Sequence, residues 1–501
     1  MSKYVIALFS GLLFSLGFSP FNFLFLTIVS LSSFLFLLEK SSSLRDSFLI
    51  SFIFGIGVWS IGISWVIVSI YYHGDVSLIA SVLITSLFIV LLSLYKSLVG
   101  IIYFKLKKNF IFNALVLFPF AWVFVETLRG FLFSGFPWLL LGISITNSPL
   151  SGFLPIFGSS GSSIILCIIS ALLVITFNLK RSNKLSKYQI NKIRMISGSF
   201  LIILVSTPPL LLNKISWTEE IGKQKVSIYQ PNLTLEEKWS YEGIAETRNL
   251  LNKALLVAEN RELIIFPETA FISNETSRES FFKSLEDLLI KKEIYLITGI
   301  LGTKGEARTN TLHGYGLAKG TYDKVKLVPF GEYVPFLDIF GNFLNFIGIN
   351  ITNMQPGYEY KTLKIGKYVV SPTICYEIAF ESIVLETASI SNLFITLSND
   401  TWFGDSIGPY QHLEISQARA IEHERAVLRS TNSGISAIIN EKGEIQEKIG
   451  IFEDKSLNHT VSIREGTTPY SYFKRYPLYL YLFLTFMYLY LNNRTNVTKS
   501  Y

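Results

Sequence analysis

The sequence predicts a polytopic α-helical membrane domain of about eight transmembrane helices, joined to an α/β domain outside the cytoplasm. Half of the 501 residues are hydrophobic and only 16% are charged, against about 25% in ordinary globular proteins. Residues 1–217 contain fifteen basic and four acidic residues, a net charge of +11, whereas the remainder has a net charge of −4. The basic pI therefore averages a basic membrane part and a mildly acidic soluble part, and does not indicate a nucleic-acid surface.

Seven apolar segments precede the soluble part and one follows it, each near the roughly 17–25 residues that a spanning helix needs. In order they are Tyr4–Phe18, Phe21–Leu38, Phe48–Ile70, Val76–Leu94, Phe110–Val125, Ser163–Phe177, Ile196–Leu212 and Tyr476–Leu491. The first is short and follows Lys3, so a cleaved signal peptide is the alternative. It lacks a small-x-small cleavage pattern and continues into apolar sequence, which favours a retained helix.

Basic residues in the short loops predict the orientation, because such loops stay in the cytoplasm. With a cytoplasmic N-terminus, the basic clusters at 40–45, 105–108 and 180–194 and the C-terminal tail all lie inside. The segment from about Lys214 to Lys474 then lies outside. We therefore expect three parts: a membrane domain at 1–217, a catalytic domain at 218–474, and a last transmembrane helix with its tail at 475–501.

Two features of the membrane part could have a function. Glu126 and Arg129 are ionisable residues one helical turn apart, either a functional pair or a mutually satisfied i,i+3 pair. The following segment, Gly130–Pro149, is apolar but interrupted by glycine and proline. It is typical of an interfacial or re-entrant segment rather than another span.

From Lys225 onward the pattern of apolar residues changes from long apolar segments to short β-rich runs that alternate with helical stretches. Short β-rich runs are predicted at Lys225–Gln230, Leu263–Phe266, Ile294–Ile300, Tyr368–Ile374, Leu393–Leu397 and Ile435–Asn440. Helical stretches are predicted between them at Ala245–Asn260, Ser277–Lys291, Ile378–Ile390 and Glu414–Thr431. This alternation indicates one α/β domain with helices covering sheets.

The two cysteines differ in setting. Cys167 lies within a predicted span and behaves as a small apolar residue. Cys375 follows an apolar strand and precedes a predicted helix, whose N-terminal N–H groups would favour a thiolate. Glu268 follows a second apolar strand, and Lys324 comes just before a rigid loop punctuated by glycine and proline. Strand ends are where α/β proteins commonly assemble their sites.

Five motifs together resemble the carbon–nitrogen hydrolase (nitrilase-like) superfamily and, within it, the bacterial apolipoprotein N-acyltransferase family. They are Phe266–Ala270, Tyr322–Lys324, Leu327–Pro335, Ile374–Glu377 and Ser398–Gly404. Two further segments, Ile407–His412 and Arg429–Gly434, extend the resemblance, which covers nearly the whole chain. It implies a nitrilase-like α-β-β-α sandwich for the soluble part.

The resemblance also implies a catalytic triad of Glu268, Lys324 and Cys375. Cys375 would be the nucleophile and Glu268 the general base, while Lys324 and the backbone N–H of Tyr376 would hold the oxyanion. Glu332 would fix Lys324 or shuttle protons. The resemblance further implies that Tyr376 and Glu377 order the pocket, and that Trp239 lies near the opening for lipid.

By resemblance, the acyl donor is a membrane phospholipid, such as phosphatidylethanolamine, and the acceptor is the α-amino group of an S-diacylglyceryl-cysteine apolipoprotein. The protein is expected in the bacterial inner membrane with its catalytic domain in the periplasm, and no cofactor is expected. The Phe- and Pro-rich segment Phe330–Phe346 is a candidate apolar lid that keeps water from a thioester.

Two other classes remain as alternatives. One is a membrane-tethered nitrilase-like amidohydrolase, which the triad alone does not exclude. The other is a transporter or receptor with a degenerate sensor domain, against which the complete triad argues. The five histidines are scattered along the chain, so the sequence gives no support for metal catalysis. A P-loop and a Gly-x-Ser-x-Gly motif are also missing from it.

Overall fold

The computed structural model describes residues 2–74, 76–178, 186–272, 275–304, 307–333 and 354–497. The chain forms two compact units. One comprises Met1–Ile67, Val76–Ile215 and Tyr472–Tyr501, and the other comprises Val68–Asp75 and Ser216–Ser471.

The first unit is helical, as predicted. Its α-helices are Lys3–Ser15, Leu24–Glu39, Leu44–Gly62, Leu78–Leu106, Phe110–Phe112, Phe118–Arg129, Leu154–Asn178, Lys187–Leu210 and Tyr476–Val497, and Trp65–His73 leads into the second unit. A π-helical turn, Asn113–Leu117, joins Phe110–Phe112 to Phe118–Arg129. Among the described residues, five helical segments are long and apolar enough to cross a membrane, and Lys3–Ser15 and Leu24–Glu39 are shorter apolar helices. The total of eight spans stays a prediction.

The first helix packs closely on Leu44–Gly62. A Cβ atom at Gly11 would lie 2.1 Å from the carbonyl oxygen of Phe54, and one at Gly57 would lie 2.3 Å from that of Leu8. Small residues therefore allow the two backbones to approach, as in other membrane helix pairs.

Several predicted spans have different bounds: Val76–Leu94 is the helix Leu78–Leu106, and Ile196–Leu212 is the helix Lys187–Leu210. The span predicted at Phe48–Ile70 is two helices, because Ile63 leaves the helical conformation and Trp65–His73 starts anew. The span predicted from Ser163 begins at Leu154, ahead of a kink at Gly158, where φ is +63°.

The interrupted segment predicted at Gly130–Pro149 is irregular, with short 3-10 turns at Leu132–Ser134, Leu141–Ile145 and Pro149–Phe153. Arg129 and Glu126 hold the main chain of this segment through hydrogen bonds. Arg129 donates to the carbonyl oxygens of Phe136 at 2.5 Å and Trp138 at 2.6 Å, and Glu126 accepts from the N–H of Leu141 at 3.0 Å. Both residues are buried and bind the backbone of this segment, so their contacts are structural, since non-helical backbone inside a membrane protein needs partners.

The second unit contains two seven-stranded sheets. The first sheet has the order Lys455–Gly466, Thr218–Gln230, Leu263–Ile265, Tyr295–Lys304, Ala307–Gly316, Thr321–Asp323, with Phe271–Ile272 paired to Tyr295–Lys304. The second has the order Ile445–Lys448, Ala437–Ile439, Val427–Thr431, Leu393–Ser398, Tyr368–Ile374, Leu363–Ile365, Ala318–Lys319.

One apolar core, with members such as Ile228, Ile265, Val370 and Ile395, contains side chains from both sheets, so the sheets pack face to face. Helices cover the outer faces: Tyr241–Val257 and Glu275–Lys291 on the first sheet, and Glu381–Thr387 and Gly408–His423 on the second. The short helical segments of this unit are Leu235–Lys238, Cys375–Ala379, Ala388–Ile390 and Asp400–Phe403, and Pro469–Phe473 lies at its end; Leu212–Lys214 belongs to the first unit. The predicted α-β-β-α sandwich is confirmed.

One predicted helix was wrong in part. The stretch Glu414–Thr431 is helical only to His423, and Val427–Thr431 is a strand buried along its whole length. Glu424 ends the helix in the left-handed conformation, with φ +46°. Only two of the five residues of this strand, Val427 and Leu428, are apolar, so neither an alternating pattern nor an apolar run marks it as a strand.

Parallel pairing aligns the ends of three central strands. Leu397 pairs with Ile374, and Ser398 pairs with Thr431. The residues that follow, Cys375, Asn399 and Asn432, therefore emerge at one edge of the second sheet. In the first sheet, Leu263–Ile265 lies parallel to both of its neighbours and leads to Glu268.

Candidate active site

Cys375 lies directly after the strand Tyr368–Ile374, as predicted, and begins a 3-10 turn rather than the predicted α-helix. Its φ is +54°, a conformation that non-glycine residues rarely adopt. The α-helix proper starts at Glu381. A strained residue of this kind is held by its surroundings and is common at functional sites.

The Cys375 thiol is protonated at neutral pH. Burial and the nearby Glu268 carboxylate raise the pKa of Cys375 to about 12, against the opposing effect of Lys324. The expectation that a helix N-terminus would favour the thiolate was therefore wrong. Deprotonation of Cys375 at neutral pH needs a base that takes the proton.

Glu268, Lys324 and Glu332 form one buried cluster. The Lys324 Nζ atom lies 3.3 Å from Glu268 Oε1 and 2.7 Å from Glu332 Oε1. Asn310 joins them, because its side-chain amide donates to Glu268 Oε1 at 2.6 Å and to Glu332 Oε1 at 3.2 Å. Lys324 is 1% exposed and Glu268 is 5% exposed.

The local fold explains this cluster. Thr311 pairs with Asp323 in the first sheet, and the Lys324 N–H continues the ladder by donating to the Asn310 carbonyl oxygen at 2.8 Å. Beneath Glu268, a Cβ atom at Gly299 would lie 2.6 Å from the Glu268 Cα atom. Only glycine allows the strand-end backbone to approach this closely.

The two carboxylates control the charge of Lys324. Burial alone would lower its pKa, but Glu268 and Glu332 raise the pKa well above its ordinary value. Lys324 is therefore a permanent cation at physiological pH.

Glu377 links the cysteine strand to the lysine loop. Its Oε1 accepts from the Tyr322 hydroxyl at 2.9 Å and from the Val325 and Lys326 N–H groups at 2.7 and 2.9 Å. Its Oε2 accepts from the Ile374 N–H at 2.8 Å. Burial raises the pKa of Glu377 to about 7, although these hydrogen bonds oppose the rise. Glu377 was predicted to order the pocket. Its carboxylate hydrogen-bonds the backbone N–H of Ile374, which precedes Cys375, and those of Val325 and Lys326, which follow Lys324.

Trp239 and Tyr376 are at the periphery of this cluster. Trp239 is 45% exposed and follows the short helix Leu235–Lys238. Lys238, which sequence reasoning missed, is buried and donates to the Glu268 carbonyl oxygen at 2.8 Å and to the Thr269 hydroxyl at 2.7 Å. Tyr376 is partly buried, and its ring packs edge-on against Phe380 with the centroids 4.9 Å apart.

Asn310 was also missed. It lies inside the strand Ala307–Gly316, which the sequence did not predict, and one polar residue in such a run carries no functional signal. The candidate lid Phe330–Phe346 lies mostly outside the described residues, which end at Tyr333 and resume at Met354. Among the described residues, no group of three or more His, Cys, Asp and Glu side chains could hold a metal ion.

Comparison with known proteins identifies the family of the chain. Residues 10–172 match the apolipoprotein N-acyltransferase N-terminal domain, and residues 225–465 match the carbon–nitrogen hydrolase domain. The chain is 34% identical over 503 residues to an apolipoprotein N-acyltransferase of Wigglesworthia glossinidia brevipalpis, covering 97% of each chain. It is 32% identical over 498 residues to that of Photobacterium profundum, covering 96% of this chain and 93% of the relative. The sequence resemblance is confirmed, and this chain belongs to the apolipoprotein N-acyltransferase family, whose members are membrane enzymes.

Proposed function

We propose that this protein transfers a fatty acyl chain from a membrane phospholipid to the N-terminal amine of S-diacylglyceryl-cysteine apolipoproteins, through a thioester on Cys375. The donor is phosphatidylethanolamine, attacked at its sn-1 ester. The observation that carries the proposal is the buried Glu268–Lys324–Glu332 cluster beside a protonated thiol, in a chain of this family.

The first half-reaction forms the thioester. Glu268 takes the Cys375 proton while the sulfur attacks the ester carbonyl carbon. Lys324 and the Tyr376 N–H hold the oxyanion. The ester C–O bond then breaks, and the protonated Glu268 returns the proton to the leaving glycerol oxygen of the lysophospholipid.

The second half-reaction releases the thiol. The free α-amine of the acceptor attacks the thioester carbon while Glu268 takes one of its protons. The C–S bond breaks, the amide forms, and the proton returns to the sulfur. Two substrates that use one covalent intermediate predict ping-pong kinetics.

Each neighbour has a role in this proposal. Glu332 keeps Lys324 charged and aimed, through the 2.7 Å ion pair. Glu377 holds the cysteine turn against the lysine loop, and Tyr376 contributes the oxyanion N–H. The exposed Trp239 contacts the incoming lipid. The protein resides in the bacterial inner membrane, with residues 218–474 as the catalytic domain in the periplasm.

The test uses a diacylglyceryl peptide with either a free or an acetylated N-terminus. The purified protein, supplied with labelled phosphatidylethanolamine in micelles, should transfer label to the free-amine peptide and not to the blocked one. A Cys375→Ala variant should transfer none. Label that goes only to water, or to small amides instead, would support an amidohydrolase and contradict the proposal.

A further inference from the structure

Three motifs without an assigned role each contribute one side chain to a buried cluster behind Cys375. They are Asp400, His412 and Arg429, each at most 2% exposed. Arg429 Nη2 donates to Asp400 Oδ2, and the His412 Nδ1 atom lies 3.0 Å from Arg429 Nη2 and 3.1 Å from Asp400 Oδ1. Segments that are distant in sequence therefore meet at one imidazole.

The other nitrogen of that imidazole faces the nucleophile. His412 Nε2 lies 3.2 Å from the carbonyl oxygen of Cys375. Burial and the Arg429 charge lower the pKa of His412, which leaves the ring neutral with one N–H. The Cys375 carbonyl oxygen can only accept, so we assign the single ring proton to Nε2. Nδ1 then accepts from Arg429 Nη2, and Asp400 Oδ1, which lies beside Nδ1, accepts from the Ser398 hydroxyl at 2.6 Å. His412 thus donates a hydrogen bond to Cys375.

This hydrogen bond acts on one particular peptide group. The Cys375 carbonyl and the Tyr376 N–H belong to the same planar peptide unit, so fixing the oxygen fixes the direction of the N–H. A donor on the oxygen also polarises the amide and strengthens its N–H as a donor. Cys375 needs such a restraint, because its φ of +54° is unfavourable without one.

We propose that His412 is a positioning residue of the oxyanion site: by hydrogen-bonding the Cys375 carbonyl, it aims and polarises the Tyr376 N–H toward the tetrahedral intermediate. This inference rests on the proposed function, in which that N–H holds the oxyanion. Arg429 supplies the donor at Nδ1, and Asp400 holds the Arg429 guanidinium in place beside the ring.

The test compares two reactions of the same thiol. Thioester formation from labelled phospholipid passes through an oxyanion, whereas alkylation by iodoacetamide displaces iodide and forms none. His412→Phe keeps the ring shape and removes the donor. We expect thioester formation to fall by about 10–100-fold in kcat with little change in KM, since loss of one whole oxyanion donor costs about 10²–10³. Alkylation should stay within about twofold of wild type, because it does not use the donor.

A second pair of variants distinguishes loss of the hydrogen-bond donor from misfolding. The Gln side chain in His412→Gln can still reach the Cys375 carbonyl, and the shorter Asn in His412→Asn cannot. His412→Gln should recover most of the thioester rate and His412→Asn should not. Equal thioester rates in all variants, or a parallel fall of both reactions, would overturn the inference alone. A wild-type protein that forms no thioester would overturn the proposed function, and this inference with it.

Discussion

Lys324 and Glu332 form a buried ion pair, with Nζ and Oε1 2.7 Å apart, inside the same cluster as Glu268. Removing one partner of such a pair leaves an uncompensated charge, which typically costs about 3–5 kcal/mol. In Lys324→Met, Glu268 and Glu332 would face each other across Asn310 as two like charges. We expect a lower thermal unfolding midpoint and a loss of thioester formation of at least about 10².

The double variant Lys324→Met/Glu332→Gln separates these two effects. It removes one of the facing carboxylates, so the unfolding midpoint should recover most of its loss. Thioester formation should stay low, because the oxyanion partner is still missing. Recovery of activity together with stability would mean that Lys324 has only a structural role.

Glu268 has opposite effects on two reactions of Cys375. In the proposed mechanism Glu268 is the base of thioester formation, whereas as a negative charge it helps to raise the pKa of the thiol. Glu268→Gln should therefore lower thioester formation by about 10²–10⁴. Alkylation by iodoacetamide at pH 8 should become faster, by about tenfold for each unit by which the pKa falls.

The matched control for this experiment is Glu386→Gln, which removes an exposed carboxylate on the helix Glu381–Thr387. Both of its rates should equal those of wild type. Slower alkylation in Glu268→Gln would show that Glu268 assists the thiol without raising its pKa, which contradicts the electrostatic account of the site.

The protonated thiol predicts a pH dependence. Since the pKa of Cys375 is about 12, the thiolate fraction should rise about tenfold per pH unit between about pH 7 and 10. The alkylation rate of the full-length protein should follow that slope without levelling. A Cys375→Ser variant measures the background from Cys167. A plateau near pH 8 would indicate an ordinary or activated thiol.

Lys238 connects the helix before Trp239 to the backbone of Glu268 and the side chain of Thr269. Lys238→Met removes two buried hydrogen bonds, worth about 1–3 kcal/mol each when one partner is left unsatisfied. We expect thioester formation to fall by about tenfold through loss of the Trp239 position. Lys253→Met, on the exposed face of the helix Tyr241–Val257, should have no effect.

A double variant tests whether Lys238 acts by positioning Trp239. If Lys238 acts through Trp239, the double variant Lys238→Met/Trp239→Ala should be no slower than Trp239→Ala alone. Additive losses would show that Lys238 acts on Glu268 independently of the tryptophan.

Much of this arrangement could be predicted from the sequence, because apolar periodicity reports helices and strands directly. The strand before Cys375 begins at Tyr368 and ends at Ile374 as predicted. The strand Ala307–Gly316 was missed, since its Thr, Asn, His and Gly residues lack an apolar alternation. Asn310, which joins the two carboxylates, lies in this strand and was missed with it.

The remaining differences have local causes. The thiolate expectation failed because the sequence shows neither the desolvation of the partly buried Cys375 nor the effect of the Glu268 carboxylate. Both raise the pKa of the thiol, and the first N–H groups of a short 3-10 turn do not offset them. His412 was visible only as part of a motif, because its contact with Cys375 joins residues 37 positions apart. Long-range contacts of this kind depend on the strand order of the sheet.

A thioester on Cys375 can be detected by its mass. The purified full-length protein is incubated with labelled phosphatidylethanolamine without an acceptor, and its Cys375 peptide is analysed by mass spectrometry. We predict a mass increase of one acyl chain on Cys375 that hydroxylamine removes and that Cys375→Ala lacks. An unmodified Cys375, in a preparation that still releases lysophospholipid, would contradict the account.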